Sequence, residues 1–166
     1  MANIYKFRQW SLTLLRLALG LIFTYHGYLK LFAPGGFSGT IGFFAAIGIP
    51  IPAFSAFLVS VVEFAGGLFL IAGFFSKWAS VALIINMLVA IFKVHIKNGF
   101  LIANGGIEFA LALLISLLVI LMNGPGSLSL ERAIFEQEEK YEASPESKKS
   151  PRKSGKKLKV KDADEN

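Results

Sequence analysis

The chain has 166 residues, 54% of them hydrophobic, with a mean hydropathy of +0.60 and a formal charge of +6. Soluble domains run at roughly 45–50% apolar usage, and the excess here sits in residues 1–130, which carry only seven Lys or Arg and two acids. That charge poverty excludes an ordinary soluble globule, whose amphipathic elements are punctuated by charge every turn or two. The lack of cysteine excludes disulfides, thiolate metal sites and iron–sulfur clusters, and two histidines are too few for a structural metal centre.

Crossing a hydrocarbon core about 30 Å thick takes roughly 20 helical residues, and four segments approach that length. The first runs from Trp10 to Phe32 and stops at the Ala-Pro-Gly-Gly cluster 33–36. It reads as a retained span rather than a cleaved signal peptide, because it contains Arg16, His26 and Lys30 and further apolar segments follow. Residues 33–50 have no charge and are interrupted by Gly and Pro. They read as a re-entrant or interfacial loop, with Phe37, Phe43 and Phe44 along the membrane surface. The second span, Pro52 to Phe75, opens on a proline suited to a first helical turn. After the turn at Ser76-Lys77 comes a third span, Trp78 to Val94. Breaks at 97–99 and 104–106 precede the fourth, Ile107 to Met122, which Asn123-Gly124-Pro125-Gly126 terminates. The expected fold is therefore all-α, an integral membrane four-helix bundle over residues 1–132, followed by a polar and mostly disordered tail over 133–166.

In that tail, residues 147–161 hold eight basic residues and no acid. So localised a charge reads as a topology determinant and a contact for anionic membrane lipid rather than a nucleic-acid surface. Residues 127–142 have the pattern of a short amphipathic surface helix. Lys6, Arg8, Lys77 and the basic tail share one side of the membrane, and Lys30, Lys93 and Lys97 the other. The positive-inside rule then places both termini in the cytoplasm of a multi-pass protein of the cell membrane.

Ionisable groups inside spans cost several kcal/mol each if unpaired, so they turn toward the bundle interior and one another. The set is Arg16, His26 and Lys30 on the first span, Glu63 on the second, Lys93 and His95 ending the third, and Glu108 opening the fourth. His26 and Lys30 are four residues apart and share a stripe. With His95 and Glu108 they converge toward the outer face, while Arg16 lies further inward and reaches toward Glu63. Glu63 precedes Gly66-Gly67, where missing side chains permit close helix approach. Such a cluster suits proton handling or anion coordination; ion pairs that merely fix helix packing are the bland alternative.

Taken in order, RLALGLIF (16–23), HGYLKLF (26–32), GIPIP (48–52), VEFAGGLFL (62–70), HIKNGF (95–100), GGIE (105–108) and GPGSLSLE (124–131) resemble the DoxX family of small four-helix membrane proteins, over about residues 12–132. Some members are linked to quinone- or thiol-directed redox chemistry. The resemblance implies an oxidoreductase-associated membrane subunit with a quinone-like small-molecule ligand. His26 and Glu63 would exchange protons, while Arg16, Lys30, His95 and Glu108 hold the ligand. No haem, flavin or metal motif is present, so electrons come from a redox partner protein. Oligomer formation is left open. Two other readings use the same charges: a small weak-acid or anion transporter, with 33–50 as its gate, and a non-catalytic assembly subunit.

Overall fold

The computed structural model describes residues 2–134, and those up to Arg132 form one compact unit. The expectations for the basic tail, its disorder included, lie outside the described residues. The principal α-helices of the described residues follow in order: α1 (Ala2–Phe32), α2 (Gly36–Ala46), α3 (Pro52–Ala72), α4 (Ser76–Ala90) and α5 (Glu108–Asn123). Beyond Ala90 the helical path of α4 continues through a π-helical turn, Ile91–His95, and a 3₁₀ turn, Ile96–Asn98.

Three of these helices are long and apolar enough to cross a membrane: Phe7–Phe32, Pro52–Ala72 and Ser76–Asn98. The fourth, α5, has 16 residues, about 24 Å at a rise of about 1.5 Å per residue. α2 has 11 residues, about 16 Å, too short to span a core about 30 Å thick.

Sequence had assigned 33–50 to a loop, but residues 36–46 are helical. The physical reason is that a backbone in an apolar medium must satisfy its own N–H and C=O groups, which outweighs the poor helix propensity of glycine. Several span ends also move, those between α3 and α4 among them. α3 stops at Ala72 because Gly73 takes a left-handed conformation (φ 67°), and α4 begins at Ser76 after Phe75, itself left-handed (φ 50°).

The four longer helices form a closed ring in which α1 packs on α3, α3 on α4, α4 on α5 and α5 on α1. The α1–α3 crossing is the tightest. A Cβ at Gly67 would overlap the backbone of Thr24 and come within 2.7 Å of the Gly20 carbonyl, and one at Gly27 would overlap Phe64. Rising numbers on α1 meet falling numbers on α3, so the pair is antiparallel. Close backbone approach of this kind supplies the dispersion contacts that hold helices together in lipid. Gly66, one residue away, faces Leu83 of α4, so the glycine pair serves two neighbours.

Leu19 and Phe23 of α1, Leu70 of α3, Leu83 and Met87 of α4, and Leu113, Leu117 and Ile120 of α5 fill the centre. The outward faces remain apolar: Leu14, Leu21, Phe54, Phe57, Ile85 and Ile115 are all exposed. Only 28–39% of the most apolar window of each long helix is buried. A surface this apolar requires a hydrocarbon solvent.

Candidate functional site

A cavity of about 940 Å³ opens between α1, α2, α3, α4 and the start of α5. Its walls are mostly apolar, with Phe23, Phe43, Phe44, Val59, Val62 and Leu113 among them. Among the described residues, the ionisable groups that line it are His26, Lys30, Glu63 and His95.

Glu63 forms the centre of the polar wall. It is 4% exposed, and both carboxylate oxygens are engaged by neighbouring helices. Lys30 Nζ of α1 donates to Oε2 in an ion pair, and Asn86 Nδ2 of α4 donates to Oε1 at 2.8 Å. Three helices are thus joined through one carboxylate. The close α1–α3 approach described above brings Lys30 within reach. Lys30 keeps 27% of its side chain exposed, and an ammonium has three N–H donors, so it can serve Glu63 and a second acceptor together.

His26 lies one turn before Lys30 on α1, is exposed and also lines the cavity. His95 arrives from α4 at the last residue of the π-helical turn. Its Nδ1 lies 2.7 Å from the Gly105 carbonyl, to which Asn98 Nδ2 also donates at 3.2 Å. A carbonyl only accepts, so His95 Nδ1 carries the proton, and in the neutral ring Nε2 is left as an acceptor. α2 supplies Gly36, Gly39, Thr40 and Phe43 as a cover.

Two of the residues singled out in sequence have other surroundings. Glu108 accepts a hydrogen bond from the Ile102 backbone N–H at 2.9 Å and fastens the loop that precedes α5; it does not line the cavity. Arg16 lies away from Glu63. It is 1% exposed, and Nη2 donates to the Leu128 carbonyl. There the chain after α5 crosses α1 as a strap. Ser127 N–H donates to Thr13 Oγ1 at 3.1 Å, and Glu131 N–H donates to the Gly73 carbonyl at 3.2 Å. A Cβ at Gly73 would overlap Arg16 Nη1. Asn86 is the residue sequence reasoning missed. It is a neutral amide, so no unpaired charge drew attention to it, although its place in the apolar run of α4 was a readable signal.

The DoxX family model matches residues 11–96 of the chain. CatD of Bacillus subtilis (strain 168), provisionally named an oxidoreductase, is 32% identical over 122 residues, covering 74% of this chain and 85% of CatD. A membrane protein of Mycobacterium tuberculosis is 34% identical over 134 residues, 75% of this chain and 81% of that one. The inner membrane protein YphA of Escherichia coli (strain K12) is 29% identical over 126 residues, 73% of this chain and 88% of YphA. No solved structure matches the chain.

Proposed function

The chain belongs to the DoxX family of membrane proteins, and on that footing we propose that it binds a small redox-active, quinone-like molecule in the cavity, as a membrane subunit in quinone-linked oxidoreduction. The observation that carries this reading is the position of the Lys30–Glu63–Asn86 node in the wall of a large apolar cavity also lined by both histidines. A flat aromatic ring suits the apolar walls, and polar groups few in number suit its oxygens. The name of CatD supports the oxidoreductase class.

Reduction of a quinone to its diol takes two electrons and two protons. No side chain lining the cavity is an electron carrier, so a partner protein supplies the electrons. The chain's own residues handle charge and protons. Lys30 donates to a ligand oxygen as negative charge develops there, an interaction stronger in a low-dielectric site than in water. His26, exposed and lining the cavity, delivers the two protons in turn, taking each from water, and His95 Nε2 accepts a hydrogen bond from a ligand hydroxyl. Glu63 keeps the Lys30 ammonium in place. The proposed orientation has both termini in the cytoplasm, with the cavity toward the outer face, as the placing of Lys and Arg at the span ends supports.

The test is a quinone-binding titration on purified, detergent-solubilised protein, beside Glu63→Gln and His26→Ala. Saturable binding that Glu63→Gln weakens about tenfold or more, the effect of removing one partner of a buried charge pair, is the expected result. No binding by folded protein overturns the reading.

A further inference from the structure

The arrangement around Glu63 bears on which ligands the cavity refuses. Its fixed charges are balanced: Lys30 contributes one positive charge and Glu63 one negative, and an imidazole adds charge only when both of its ring nitrogens hold protons. Asn86 contributes to that balance without adding charge. Its amide N–H satisfies the Glu63 oxygen that Lys30 does not reach, so the carboxylate is bonded at both ends. A carboxylate so held is a fixed counter-ion, immobilised between α1 and α4.

The two candidate ligand classes fare differently. An anion entering the cavity must shed its water into mostly apolar walls, at high cost unless a charge partner waits for it. Lys30 is that partner only in part, since Glu63 already neutralises it and would lie close to the newcomer as a like charge. A carbonyl oxygen loses far less on leaving water. It can still accept one of the two Lys30 N–H groups not given to Glu63.

We infer that the cavity selects an uncharged, carbonyl-bearing aromatic molecule and excludes the anion of the same shape, with Glu63 as the excluding charge and Asn86 as the residue that positions it. The inference rests on the reading of the cavity as a site for a quinone-like molecule, and it adds the charge state that the site admits.

Two probes of similar ring size separate the possibilities: menadione, an uncharged naphthoquinone, and naphthoate, a carboxylate on the same ring system. Binding of each is measured by fluorescence quenching on the full chain in detergent, with folding verified by circular dichroism. The native chain should bind menadione about tenfold or more tighter than naphthoate, a discrimination achieved by an unfavourable contact with the wrong ligand. Glu63→Gln should reverse the preference: menadione weakens while naphthoate gains, because Lys30 is left without its counter-ion. Asn86→Leu should narrow the gap without reversing it. A variant that merely loosened the helices would weaken both probes together, so the gain of naphthoate is the diagnostic readout.

Equal or tighter binding of naphthoate by the native chain overturns the inference and leaves the cavity standing as a ligand site. A Glu63→Gln variant that is folded and gains no naphthoate removes Glu63 from the role. If folded native protein binds neither probe, both this inference and the functional reading fall.

Discussion

Two cations set into the same helix have opposite surroundings. Lys30, near the end of α1, pairs with a carboxylate and opens on a cavity of about 940 Å³. Arg16 lies fourteen residues earlier, about 21 Å along the axis. It is almost wholly enclosed by protein and donates to the backbone carbonyl of Leu128, in the strap that follows α5. Both are expensive residues for a membrane helix. The difference teaches that expense alone does not identify a binding site. At Arg16 the charge fastens one segment to another in a place closed to solvent. At Lys30 the same kind of charge is left with spare donors and space beside it.

The sharpest way to break the comparison acts at the Arg16 end. Gly73→Ala places a methyl group where Arg16 Nη1 lies, at a residue with φ 67°. A loss of about 2 kcal/mol or more is expected from overpacking and backbone strain together, read as a fall in the thermal midpoint in detergent. Arg16→Met retains the bulk and removes the donor, and a cost of about 1.5–3 kcal/mol is expected for a lost hydrogen bond to a charged group. Quinone affinity should stay within about twofold, since the site lies elsewhere and distant substitutions act independently. A large loss of affinity in folded Arg16→Met protein would unite the two ends into one site. Thr13→Val should cost about 1 kcal/mol and raise the rate of limited proteolysis after residue 126, because Thr13 Oγ1 receives the Ser127 N–H. The smallest stability effect is expected from His26→Ala, an exposed position. A change within about 0.5 kcal/mol should accompany a clear loss of ligand binding.

Much of the architecture was legible because lipid imposes simple rules on sequence. Long apolar runs gave the spans, and Glu63 was conspicuous as an acid in the middle of one. The partners were harder to read. Arg16 Nη2 donates to a main-chain carbonyl and Glu108 accepts from a main-chain N–H, and any residue could have offered those groups. Asn86 carries no charge, so its role appears only once α4 is packed against α3. The helix at 36–46 was hidden by its glycines, which punctuate water-soluble chains but remain helical where the backbone has no other partner. His26 and Lys30 were legible together because helical spacing alone puts them on one stripe.

The π-helical turn before the 3₁₀ segment makes the placing of the second histidine depend on how the backbone is wound rather than on side-chain chemistry. Its i→i+5 bonding accommodates one residue more per turn than the α-helix around it. Were the same five residues wound as ordinary α-helix, everything beyond would be turned like a screw by about 100°, the angle one residue occupies in an α-helix. His95 would leave the cavity wall with every side chain of the site still encoded. The site thus depends on how the backbone is wound as well as on its composition.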